Sequence, residues 1–120
     1  MKLKFSNKTR PSKVKPEIQR REKLVGRLDQ QIAYIRQMID GDRPRATWVW
    51  MDENGTYFLP IKYGKQTLEL KKGMASIECG NLDEAEHALC EVRAMTLAGD
   101  LDSQLEAASV TIRQKFIGEA

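Results

Sequence analysis

Trp48-Val49-Trp50-Met51-Asp52-Glu53-Asn54-Gly55-Thr56-Tyr57-Phe58-Leu59-Pro60-Ile61-Lys62-Tyr63-Gly64-Lys65-Gln66-Thr67-Leu68-Glu69-Leu70-Lys71-Lys72-Gly73-Met74-Ala75-Ser76-Ile77-Glu78-Cys79 is a run of short apolar and β-branched segments cut by three glycine turns. Glu53-Asn54-Gly55-Thr56 is a hairpin signal of the I′ type, and Gly64-Lys65 and Lys72-Gly73 mark two more turns. Two-residue loops at these places predict three registers. The first sets Trp50 opposite Leu59 and Trp48 opposite Ile61. The second sets Ile61 opposite Leu68 and Leu59 opposite Leu70. The third sets Leu70 opposite Ala75 and Leu68 opposite Ile77. All three put Trp48, Trp50, Tyr57, Leu59, Ile61, Leu68, Leu70, Ala75, Ile77 and Cys79 on one face. Because side chains alternate along a strand, this agreement predicts a four-stranded antiparallel β-meander over 46–79.

The opposite face is mixed. Lys62, Thr67, Glu69, Lys71, Ser76 and Glu78 suit solvent. Val49, Met51, Phe58 and Pro60 form an apolar patch on the first hairpin that needs a cover, from the long helix or from a partner. Pro60 has no N–H to give a ladder, which suits an edge or a bulge.

Upstream, Pro16 and Glu17 suit the first turn of a helix. Ile18, Val25, Ile32 and Ile39 recur every seven residues, with Leu28 and Ile35 between them, Leu24 and Met38 widening the stripe, and Arg21 breaking it. This predicts an amphipathic helix over 16–40 that ends near Gly41. The seven-residue spacing serves either a seam in a homodimer or packing on the sheet. Downstream, Asn81 with Glu84 three residues later is a capping arrangement, and Leu82, Ala85, Leu89, Val92 and Met95 predict a helix over 82–98. Gly99 stops it. Asp100 caps a last helix over 101–117, with Leu101, Leu105, Ala108, Ile112 and Phe116 as its stripe. The fold class is therefore α+β: an N-terminal amphipathic helix, the meander and two C-terminal helices. Residues 16–120 make a single domain behind a basic, flexible arm over 1–15.

A length of 120 residues is enough to bury a core, at roughly two thirds of the unfolded surface. Two cysteines are too few for a disulfide scaffold, and neither a membrane span nor a secretory signal is legible, so a cytoplasmic location is expected. The net charge of +3 conceals a gradient. Residues 1–45 hold 13 Lys/Arg against 5 Asp/Glu, whereas residues 81–120 hold 3 against 8. Either the basic front meets a polyanion, or the two ends attract each other within the fold or across a dimer.

Catalytic chemistry finds little support in the residues. The sole histidine, His87, could share a helical face with Cys90, and Cys79 could approach, but paired metal-ligand spacing is missing. There is no glycine-rich phosphate loop, and the serines lack a base and an oxyanion turn. No cofactor or metal is expected, and the chain reads as a non-enzyme.

Binding features are stronger. Lys2, Lys4, Lys8, Arg10, Lys13 and Lys15 populate the arm, and Arg20, Lys23 and Arg27 share one face of the first helix. These nine residues are the candidate phosphate contacts. Trp48, Trp50 and Tyr57 could stack on bases, but their place on the apolar face favours a core role. Phe58 is freer.

Thr9-Arg10-Pro11, Gln19 to Lys23, Trp48-x-Trp50, Asn54-Gly55, Tyr63-Gly64, Leu68-Glu69-Leu70 and Gly99-Asp100-Leu101-Asp102 resemble a family of small uncharacterised proteins of proteobacteria and their prophages. The resemblance spans most of the chain and implies a bacterial or phage origin, with no activity to transfer. At the level of topology, four antiparallel strands followed by a helix is similar to the single-stranded-DNA-binding transcriptional coactivator fold. The expected function is a non-catalytic nucleic-acid-binding accessory protein of DNA or RNA. The alternative is a protein-interaction module, such as a phage-encoded inhibitor or adaptor, docking through Val49, Met51, Phe58 and Pro60 on a host protein or nucleoprotein complex.

Overall fold

The computed structural model describes residues 2–8 and 15–118, with side chains through residue 114. The elements run α1 (Pro16–Ile39), β1 (Trp50–Met51), β2 (Tyr57–Leu59), β3 (Ile61–Tyr63), β4 (Gln66–Leu68), β5 (Ile77–Cys79), α2 (Leu82–Ala98) and α3 (Asp102–Gly118). The class is α+β, in the expected order of helix, antiparallel strands and two helices. Residues 2–8 carry no helix or strand and are exposed throughout. Arg10 and Lys13 lie outside the described residues.

The helix ends follow local chemistry. Pro16 and Glu17 occupy the first turn of α1, and Gly41 beyond its end has φ +96°. Asn81 Oδ1 accepts a 2.8 Å hydrogen bond from Glu84 N, and the Glu84 carboxylate reaches back to accept from Gly80 N. Gly99 closes α2 in the left-handed region, at φ +87°.

The strands pair differently from the expected meander and divide between two small sheets. One holds β1, β2 and β5 with β2 central, and the other holds β3 and β4. Pro60 sits at the break between β2 and β3, where a residue without an N–H ends one ladder before the next begins. The second register is as expected, with Ile61 opposite Leu68. The third turn is also in place, as a bridge between Lys71 and Met74. It does not carry β5 onto β4, however. Ile77 lies opposite Leu59 and Cys79 opposite Tyr57, so residues 69–76 loop out between the two ladders. The four-stranded sheet of the coactivator fold is not formed.

The first hairpin is shifted by one residue. Trp50 pairs with Phe58 and Met51 with Tyr57. The cause is the loop. Asp52 N donates to Thr56 O at 2.9 Å and Gly55 N donates to Asp52 O at 3.2 Å, which closes a turn over 52–55 and leaves three residues between the paired Asp52 and Thr56. The Asp52 carboxylate accepts from Asn54 N and Thr56 N, and Gly55 takes φ +82°, the geometry of a type I turn followed by a left-handed glycine. The shift turns Val49 inward, where it is 5 % exposed, and Trp50 outward, where it is 53 % exposed. Val49 therefore leaves the expected docking patch for the core. Trp48 remains half-buried against the core, and Ala75 is exposed.

The core joins Leu24, Leu28, Ile32 and Ile35 of α1 to Ala85, Leu89 and Val92 of α2, Leu101, Leu105 and Ala108 of α3, and Val49, Leu59, Ile61, Tyr63, Leu68 and Cys79 of the sheet region. The buried side of α1 follows the 3.6-residue period. Of the seven-residue series, only Ile32 is fully buried, in the chain's own core; Ile18 and Ile39 are exposed. Three ion pairs tie α1 to the C-terminal helices: Arg21–Asp102, Arg36–Glu86 and Asp29–Arg93. Arg21 forks onto Asp102, with Nε–Oδ1 at 2.9 Å and Nη2–Oδ2 at 2.5 Å. A Cβ on Gly99 would stand 2.7 Å from Arg21 Nη2, so the glycine that ends α2 also leaves room for this guanidinium.

The register carries a direct test. Val49→Ala should lower unfolding free energy by about 2 kcal/mol, whereas Trp50→Phe should change it by less than about 0.5 kcal/mol, as read by urea denaturation. A register with Trp50 in the core would reverse that order.

The Arg21–Asp102 pair predicts a pH signature. The hydrogen bond from Arg21 holds the Asp102 carboxyl below its ordinary value of 3.8, against an opposing pull from burial. A depressed carboxyl stabilises the fold above its unfolded pKa, and that contribution is lost as pH falls through the folded value. Asp102→Asn and Arg21→Gln should both melt below the wild type at neutral pH. In each case the gap in Tm should close as the solution is acidified below the ordinary carboxylate range.

Candidate functional site: a cationic cleft beside the long helix

Arg20, Lys23 and Arg27 stand three and four residues apart on α1, which places them on one side of the helix. That side borders β3 and the β3–β4 turn. The Lys23 Nζ lies 4.9 Å from the centroid of the Tyr63 ring, a cation–π contact with a buried aromatic. Arg20 Nε is enclosed and, among the described residues, has no hydrogen-bond partner. Arg27 leans on its own helix, with Nη1 donating to Gln30 Oε1 at 3.4 Å.

Beyond Arg27 the helix and the β3–β4 turn enclose a cleft of about 350 Å³. Arg27, Lys62, Lys65, Trp48 and Gln30 are among the residues that line it, and no Asp or Glu is. The β3–β4 turn is a two-residue loop between the paired Tyr63 and Gln66, with Gly64 at φ +61° in the position where this hairpin favours glycine. A Cβ at Gly64 would stand 3.3 Å from Ile112 Cδ1, so α3 braces the turn from behind. The placement of Lys62 and Lys65 thus follows from the register that the sequence predicts.

Trp48 is positioned by a residue that sequence reasoning passed over. Gln31 interrupts the apolar stripe of α1 and is 3 % exposed. Its Nε2 donates to Ala46 O at 3.1 Å and its Oε1 accepts from Trp48 N at 2.8 Å. A buried amide must satisfy its polar atoms, and here it does so by clamping the 46–48 segment to the helix. Ala46 takes φ +64°, the only non-glycine in the left-handed region among the described residues. The signal in the sequence was a glutamine within an otherwise apolar helical face.

The other expected site residues are dispersed. Lys2, Lys4 and Lys8 are exposed in the described part of the arm, and Lys15 is exposed at the start of α1. Of the expected docking patch, Met51 remains exposed, Phe58 and Pro60 are half-buried and Val49 is buried. Trp50 joins Phe58 by stacking, with ring centroids 5.0 Å apart and planes inclined by 28°. Trp50 and Phe58 thus share one apolar face of the first hairpin, while Met51, across from Tyr57, points to the other.

The residues weighed for metal or thiol chemistry lie apart. Cys79 is buried and burial pushes its thiol up, so it is protonated and unreactive at neutral pH. Cys90 is exposed on α2, and His87 Nε2 lies 3.1 Å from Glu91 Oε1, both side chains facing solvent. Among the described residues no group of three His, Cys, Asp or Glu side chains could hold a metal ion, and no helix is long and apolar enough to cross a membrane. No protein-family model matches the chain, and no curated protein or solved structure matches it significantly.

Proposed function

We propose that the protein is a non-catalytic nucleic-acid-binding accessory protein. Arg20, Lys23 and Arg27 contact phosphates from α1, Lys62 and Lys65 extend that surface, and the arm residues Lys2, Lys4, Lys8, Arg10, Lys13 and Lys15 add attraction at longer range. The observation that carries this reading is that Arg27, Lys62 and Lys65 line one cleft together with Trp48, with no Asp or Glu among the lining residues. Cations converging in a concave, low-dielectric surface focus a positive potential, and an aromatic among them suits bases as well as phosphates.

A second reading is favoured by a separate surface. Trp50, 53 % exposed, stacks on Phe58 on one face of the first hairpin, and Met51, 57 % exposed, stands across from Tyr57 on the other; large apolar side chains this exposed suit a protein partner. On that reading the chain is an interaction module of the inhibitor or adaptor kind, and its basic front addresses an acidic protein or a nucleoprotein complex.

Fluorescence anisotropy with labelled oligonucleotides at low salt tests the first reading. Binding should weaken steeply with salt. Arg20→Gln/Lys23→Gln/Arg27→Gln should reduce the slope of log affinity against log salt by about 2–3. No binding to single- or double-stranded DNA or RNA at low salt would remove the proposal. Retained nucleic-acid binding in a Met51→Glu variant separates the two surfaces.

A further inference from the structure

The cleft is specific enough in size and lining to indicate what part of a nucleic acid enters it. We infer that it seats a single unpaired nucleotide, with the phosphate held by Arg27, Lys62 and Lys65 and the base laid against Trp48, so that the protein prefers single strands to duplex. This rests on the nucleic-acid-binding reading and deepens it.

Size is the first argument. The volume of about 350 Å³ falls at the low end of the roughly 300–1,000 Å³ of small-ligand clefts. It suits one base with its phosphate. A paired base is held in its stack and cannot enter such a recess without being unstacked, which an already single strand does not need.

The lining is the second. Three cations alone would suit any anion, including an acidic peptide. The indole distinguishes the nucleotide, because every base presents a π-face and stacking on it is independent of sequence. The amide of Gln30, exposed beside Arg27, can donate to or accept from a base edge.

Preorganisation is the third. The backbone of Trp48 is fixed by the Gln31 clamp at 2.8 Å, and the left-handed Ala46 is held by the same side chain. A non-glycine residue in that region is strained and persists only where its surroundings determine it. The wall on which the base rests is thus set before binding, so little ordering remains to be done when the strand arrives. Arg20 and Lys23 continue along about 10 Å of helix from the mouth of the cleft, a path for the neighbouring backbone.

The test uses Trp50→Phe protein, so that Trp48 is its one indole. Oligothymidylate, a duplex of the same length, thymidine 5′-monophosphate and polyglutamate are titrated against its fluorescence, and anisotropy gives the affinities. Oligothymidylate should quench Trp48 and bind about tenfold more tightly than duplex. Lys62→Gln/Lys65→Gln should lose about tenfold for the single strand and stay within about twofold for duplex. Arg27→Gln, a single change on an exposed helix position, should shift the same preference and serves if the double variant melts early. Duplex binding as tight as single-strand binding, without quenching, overturns the inference while the nucleic-acid reading stands. No binding to either overturns both. Quenching by polyglutamate equal to that by oligothymidylate assigns the cleft to an acidic protein and overturns it. Thymidine 5′-monophosphate binding as tightly as the oligomer makes the ligand a free nucleotide and overturns the preference for strands.

Discussion

The side chains of a strand alternate, so the number of residues in the loop that joins Met51 to Tyr57 decides which half of Trp48-Val49-Trp50-Met51 faces the core. That loop is governed by one side chain. Asp52 accepts hydrogen bonds from Asn54 N and Thr56 N while its backbone pairs with Thr56, and this closes three residues, not two, between the strands. Everything on the first hairpin follows from that count. Val49 becomes core, Trp50 stacks on Phe58 at the surface, and Trp48 packs against the core at the border of the cleft. An Asn-Gly pair alone suggests the shorter loop. An aspartate at the first turn position and a left-handed glycine at the fourth satisfy the longer one equally well. The sequence contained both readings, and the carboxylate of Asp52 decides between them.

The split into two sheets has a similar local origin with a distant consequence. Pro60 interrupts the one long strand, and the partner segment answers with two separate pieces, β4 against Ile61–Tyr63 and β5 against Tyr57–Leu59. The turns at Gly64 and Gly73 were legible because each is closed by adjacent residues. The choice of β5 for β2 over β4 was not, because it depends on burying Cys79 and Leu59 under the helices. The helices themselves were legible to within a residue or two, since caps and stops such as Asn81, Gly99 and Gly41 act locally.

The candidate cleft divides along the same line. That Arg20, Lys23 and Arg27 share a face follows from helical spacing alone. That Lys62 and Lys65 line one cleft with Arg27 follows only from how α1 lies beside β3 and the β3–β4 turn, a meeting of segments some 35 residues apart whose geometry no local pattern specifies. Gln31 was the nearest thing to a marker. A polar residue at a core position of an amphipathic helix has to find partners, and its partners here are the backbone of Ala46 and Trp48.

The charge gradient along the chain allows two explanations, attraction between its ends and attraction of a polyanion, and the structure shows the first at work on one side of α1. Arg21 and Arg36, on the side of α1 toward the C-terminal helices, meet Asp102 and Glu86. Lys23 and Arg27, on the side toward β3, have no carboxylate within ion-pairing distance among the described residues; Lys23 rests on a tyrosine ring and Arg27 on a glutamine. Asp29, two residues beyond Arg27, projects from the other side of the helix and pairs with Arg93 of α2. The charged groups that pair between helices thus stand on one side of α1, and Lys23 and Arg27 on the other side are left without an ionic partner among the described residues.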